Sequence, residues 1–142
     1  MTTKREQILA QVATTLADTA GVSNRVYRSR ATAVARAESP AIIIEPVTNT
    51  VQQITSLPKL DHTLRVRIVV VVRSTTPDTE ADSVIESMHS LLMADLTVGG
   101  LAIDIQPSLT NFDYLDADQP AGVYSNEYNI VYRTSVSDLA VS

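Results

Sequence analysis

The sequence predicts an α+β fold: a mostly antiparallel mixed sheet with two helices packed on one face. Three observations carry this. Two segments place apolar residues at helical spacing, one near the start of the chain and one past its middle. The segments around them alternate apolar and polar residues or run continuously apolar, bracketed by proline and turn residues. The order helix, several strands, helix, two strands is that of an α+β chain. One hydrophobic core suits 142 residues, so 1–142 reads as one domain.

The first helix is predicted from about Thr3 to Ala20. Thr3 and Glu6 form a capping box, and Ile8, Leu9, Val12, Ala13, Leu16 and Ala17 follow at helical spacing. Gly21 stands where a left-handed C-terminal residue is wanted. Val26-Tyr27 is a short strand, and Pro40 to Pro46 is a strand bracketed by prolines. A turn at Thr48-Asn49-Thr50 leads to a second strand, Val51–Thr55. The long strand reads DHTLRVRIVVVVR, from Asp61 to Arg73. Leu64, Val66, Ile68, Val70 and Val72 share one of its faces. Thr63, Arg65, Arg67, Val69, Val71 and Arg73 share the other. A strand of this kind belongs in the middle of a sheet, with a helix layer on one side.

Thr76 is the expected N-cap of the second helix, with Pro77 at its first position. Asp78, Glu80 and Asp82 crowd the turns where the helix dipole favours acids, and Ala81, Val84, Ile85, Met88, Leu91 and Leu92 form the buried stripe. Leu101–Gln106 resumes strand alternation. Asn111–Gln119 reads as an acidic loop. The last strand runs from Tyr124 to Arg133, with Tyr124, Tyr128, Ile130 and Tyr132 on one face. Residues 135–142 read as a loose tail.

Composition limits the chemistry. The chain has no cysteine, which excludes disulfides and thiol sites. Hydrophobic content of 44% and charged content of 19% are those of a globular chain, and five Tyr, one Phe and no Trp leave an aliphatic core. No apolar leader or membrane span is read, so the chain is expected to be soluble and made in the cytoplasm. The net charge of −5 is uneven: residues 1–71 carry +4 and residues 72–142 carry −9. Such a split fits either nucleic acid at the basic half or a basic edge meeting a neighbour's acidic edge; it also arises when sequence halves are not spatial halves.

A search for reactive constellations finds neither a glycine-rich phosphate loop nor a nucleophile elbow, and His62 and His89 form no zinc-protease pair. Asp82, Glu86 and His89 share a face of the second helix. They offer a metal site in principle, but a solvated polar face is the default reading. Arg25, Arg28, Arg30 and Arg36 fit phosphate contact, yet with a pI of about 4.8 and Tyr27 alone among them, an acidic protein edge explains them as well. The stripe Tyr124, Tyr128 and Tyr132 reads as core packed under a helix, with hydroxyls reaching the sheet margin. The chain is expected to be no enzyme and to need no cofactor.

The helix beginning Lys4-Arg5-Glu6-Gln7-Ile8-Leu9, the strand Ala41-Ile42-Ile43-Ile44-Glu45, the long strand Leu64–Val72 running into an acidic helix, and the closing strand Tyr128-Asn129-Ile130-Val131-Tyr132-Arg133-Thr134 together resemble the tail terminator, or tail completion, proteins of tailed bacteriophages. The resemblance spans Thr3 to about Thr134. It implies an α+β subunit of a homohexameric ring without catalytic residues. Such a ring caps the tail tube, ends its polymerisation and offers a surface to the head or neck. Implied partners are further copies, the tube protein, a neck or head-completion protein and, in a contractile tail, the sheath; the implied place is the virion, after assembly in the host cytoplasm. On that reading Val69 and Val71 pack in a subunit contact flanked by Arg65, Arg67 and Arg73. Those of these arginines that face the neighbour pair with its Asp113, Asp116 and Asp118, as Arg28 and Arg30 do with Asp116 and Asp118, while arginines toward the lumen meet DNA in transit without reading its sequence. The competing readings are a neck connector, a small metal-binding module on Asp82, Glu86 and His89, and a nucleic-acid binder built on Arg25–Arg36.

Overall fold

The elements form in the predicted order in a computed structural model that describes residues 2–22, 25–28, 40–53, 56, 58–73, 77–115 and 121–141. Helix α1 spans Lys4–Leu16, and the Glu6 amide donates to the Thr3 hydroxyl at 3.2 Å, satisfying one of the donors a helix start leaves open. The helix ends about a turn earlier than its apolar spacing predicts. Gly21, at φ +90°, turns the chain in the following loop and does not cap the helix. Strands β1 (Val26–Arg28), β2 (Ala41–Gln52) and β3 (Lys59–Arg73) follow, then α2 (Pro77–Met93), β4 (Asp104–Leu115) and β5 (Ala121–Ser135). The predicted N-cap Thr76 lies outside the described residues.

The sheet order is β1-β2-β3-β5-β4. Only β1 and β2 are parallel; the other three pairings are antiparallel. Strand β3 is central, as its two apolar-rich faces require. Its even-numbered residues Leu64 to Val72 are buried under both helices, against Ile8, Leu9, Val12 and Leu16 of α1 and Ala81, Val84, Met88 and Leu92 of α2. The fold is therefore α+β with two helices on one face of a mixed, mostly antiparallel sheet.

Two boundaries differ from expectation for one reason. No turn falls at Thr48–Thr50: β2 runs unbroken through Pro46 to Gln52, with a bulge between Pro46 and Thr48. Asn111–Leu115 is the second half of β4 and not an acidic loop, with a matching bulge between Pro107 and Leu109. Both segments are sheet edges, where proline sacrifices no ladder bond and polar residues meet water on both sides. Thr55 and residues 116–120 lie outside the described residues. The last residues, expected to be loose, are held at three points: Ser135 N donates to Val141 O, Val136 N to Pro58 O and Lys4 N to Leu139 O, at 2.7–3.1 Å.

Candidate assembly interface

The face of the sheet away from the helices changes character along β3. At one end Val69 and Val71 are buried with Ala41 and Ile43, flanked by Tyr27 and Val123. The two valines are thus already covered within one chain. At the other end stands a row of charge. Strand register places Glu45, Arg67 and Glu127 side by side on β2, β3 and β5. Glu127 is only 7% exposed and lies between two arginines, 3.7 Å from Arg65 Nε and 3.8 Å from Arg67 Nη2. Arg67 Nη1 lies 3.7 Å from Glu45. Further along, Arg133 Nε donates to Asp61 at 2.7 Å. Carboxylates therefore balance Arg65, Arg67 and Arg133 one for one, which makes this row a poor phosphate track. Arg73 follows Val71 at the end of β3 and half-faces solvent.

The basic segment divides. Arg25 donates from Nε to Pro40 O at 2.9 Å and from Nη2 to Gly21 O at 3.1 Å, clamping the chain where it enters β1 and β2. Arg28 grips the Glu6 carboxylate of α1 with both ends of its guanidinium, holding Glu6 below its usual carboxylate range. These two residues serve the fold. Arg30 and Arg36 lie outside the described residues, as do Asp116 and Asp118. Asp113 lies on β4 opposite Val123, not in a loop, so it sits by the apolar end of the open face.

The polar face of α2 divides too. Asp82, Glu86 and His89 are all exposed, but His89 leans toward the sheet, its Nδ1 3.0 Å from the hydroxyl of Tyr128. Among the described residues no three His, Asp or Glu side chains are placed to hold a metal. No helix among them is long and apolar enough to cross a membrane. The tyrosine stripe packs in the core as expected, each hydroxyl finding a partner at the margin. Tyr124 donates to Asp78 at 2.6 Å, Tyr132 donates to Asn49 at 2.7 Å, and burial pushes the Tyr128 phenol up to about 12.

Three features escaped the sequence reading. The first is a polar cluster under α1. His62, stacked on Tyr132 at 4.4 Å, accepts from Asn49 Nδ2 at 3.0 Å and donates from Nε2 to Thr134 at 2.8 Å. An Nδ1 that faces an amide donor leaves the ring proton on Nε2. Burial first, then the nearby Arg5 charge, lower the His62 pKa against the opposing pull of Asp61. The second is a cleft of about 390 Å³ between α2 and β4, lined by Asp78, Ala81, Asp82, Ile85, Phe112 and Tyr124. Phe112, 66% exposed, meets Tyr124 edge-on at 5.8 Å. The third is a pair of open edges. Among the described residues β4 has no partner beyond β5, and β1 covers β2 only at Ile42–Ile44. Large apolar side chains stand out along both: Ile103, Leu109 and Phe112 at β4, Val47 and Val51 on β2. Alternation on a solvent-facing edge is the one signal from which they could have been read.

No family model matches the chain, and no curated protein does. Among solved structures, a chain described as the virion of a native gene transfer agent particle is similar at 8% identity, with a TM-score of 0.47, covering 87% of this chain and 93% of that one. A likeness of that degree leaves function to the chain's own surfaces.

Proposed function

We propose that the protein is a non-enzymatic structural subunit of a tailed-phage virion, a tail terminator. Its copies close into a hexameric ring that caps the tail tube and presents a surface to the neck. The observation that carries the reading is a sheet with two unsatisfied sides. One face is sealed by helices, while among the described residues both lateral edges remain open and set with exposed apolar residues. Monomeric domains usually blunt such edges, because a row of unpaired amides and carbonyls is a template for another chain. A subunit open at two different places associates head to tail, and such contacts close into rings when the rotation permits. The link to phage tails comes from the element order and the closing Val131-Tyr132-Arg133-Thr134 strand that resemble tail terminators. The charge-balanced arginine row favours a structural part over a DNA-reading one.

The test is native mass by light scattering across concentration and salt, with and without polymerised tail tube. A ring, alone or on tube ends, with growth of the tubes arrested, is the expected result. A monomer at every concentration that leaves tubes growing overturns the reading.

A further inference from the structure

We infer that the cleft between α2 and β4 receives the free half of β2 from a second copy of this chain, strand pairing with strand. The inference deepens the ring reading and rests on it, naming the contact that joins neighbours.

Topology supplies the first support. Three antiparallel steps separate β2 from β4, so the two open edges run in opposite senses. A copy that continues the sheet with the same face upward therefore sets its β2 antiparallel to β4, the pairing with the straighter ladder. Strand β1 limits the register. It occupies the outer side of β2 at Ile42–Ile44, so an incoming strand meets only the stretch beyond Glu45. Placing Phe112 opposite Val51 sets Leu115 opposite Thr48 and joins the two halves that follow the bulges.

Chemistry supplies the second support. Phe112 pairs with Tyr124 and Val51 with His62, so both side chains lie on the helix side of the sheet. Phe112 is 66% exposed and Val51 48%. Beside Phe112 the cleft holds Ala81, Ile85 and the carboxylates of Asp78 and Asp82. Beside Val51, Arg5 lines two depressions together with Asn49, one of them also with Val47. Apolar thus meets apolar and a guanidinium meets carboxylates on the same side of the joined sheet. The occupant is a second copy because the chain carries both halves, and each copy that docks leaves an open edge for the next.

The offset also bears on closure. Phe112 shares a row with Val70 and Val51 shares one with His62, eight residues away along β3. Successive copies then step about 26 Å along the strands and about 19 Å across four of them. Strands inclined at about 55° to the ring axis satisfy that step.

The chain has no native cysteine, so an introduced pair reports cleanly. Residues facing each other across antiparallel strands lie about 4.5–5.5 Å apart, within disulfide reach. Under mild oxidation Val51→Cys with Phe112→Cys in one chain should give a ladder of cross-linked oligomers. Mixing the two single variants should give one dimer, and neither single variant alone should cross-link. Both positions are exposed, and a thermal melt matching the parent shows that each variant folds; Thr50→Cys with Asp113→Cys, on the adjoining row, is the substitute pair if it does not. A disulfide dimer of Phe112→Cys alone would mean that β4 meets β4 across a two-fold axis, which overturns the inference. Rings of full mass in which neither pair cross-links overturn it while leaving the ring reading intact. A monomer that ignores tubes removes both.

Discussion

The two faces of β3 are built from alternate residues of one strand and are held by different physics. The helix face is apolar from Leu64 to Val72 and is closed by residues of α1 and α2. Its stability comes from area removed from water, which needs no particular partner. The opposite face is apolar only at Val69 and Val71 and becomes a row of ion pairs at Arg67 and Arg65. There each group depends on a named neighbour, Glu127 or Glu45. The difference teaches why arginines stand in the most hydrophobic strand: they neutralise a carboxylate that β5 brings into a nearly buried position.

The largest test of that contrast compares adjacent residues. Ile68→Ala, on the helix face, should cost about 2–5 kcal/mol in urea unfolding, through lost burial and the cavity left behind. Val69→Ala, one residue along and facing the other way, should cost about 1–2 kcal/mol. Equal losses would mean that the two faces are one core. Next comes Gly122, where an added Cβ would stand 2.7 Å from Cζ of the buried Tyr124. Gly122→Ala should cost about 1–3 kcal/mol as the ring is forced off its site. Loss of the edge-on contact with Phe112 would show as an altered aromatic circular dichroism spectrum.

The helix face also contains a titrating group. Folding lowers the pKa of His62, chiefly through burial, whereas an unfolded histidine takes up a proton below about pH 6.5. The unfolded state then binds more protons, so stability should be level above that pH and fall as the pH drops below it. His62→Gln, less stable throughout, should lose this decline between pH 7 and 5; an unchanged decline would assign it to other groups. The smallest effect belongs to the open face. Glu127→Gln should cost about 1 kcal/mol at low salt and less at high salt, since its arginines are more than a third exposed. A loss that ignores salt would mean that packing, not charge, holds that residue.

Most of the fold was legible because periodicity reports burial directly. Helical spacing marked both helices, and the two faces of β3 announced a central strand under a helix layer. The edges were not legible. Pro46 and the polar run Asn111–Asp113 look like interruptions, and become strand through the pairings of β2 with β3 and of β4 with β5 on their inner sides. The arginines were legible as residues set on one face but not as pairs, since Glu127 comes from a strand far along the chain. The same distance hid the Asn49–His62–Thr134 cluster, which exists only once β2, β3 and β5 lie side by side, and the cleft at Phe112, which needs α2 beside β4.

The pairing of β3 with β5 carries a consequence for biosynthesis. Arg73 is matched with Ala121 and Lys59 with Ser135, so the central ladder joins segments separated by a helix and another strand. At a ribosomal pace of about 5–20 residues per second, β3 waits several seconds for its partner. During that interval its aliphatic face is open to chance encounters, and contacts this distant in sequence form slowly even afterwards. Strand β4 is in the same position, for its inner ladder is β5 as well. One edge of the subunit is therefore unfinished until β5 has emerged, so nascent chains cannot join at β4 while they are still being made.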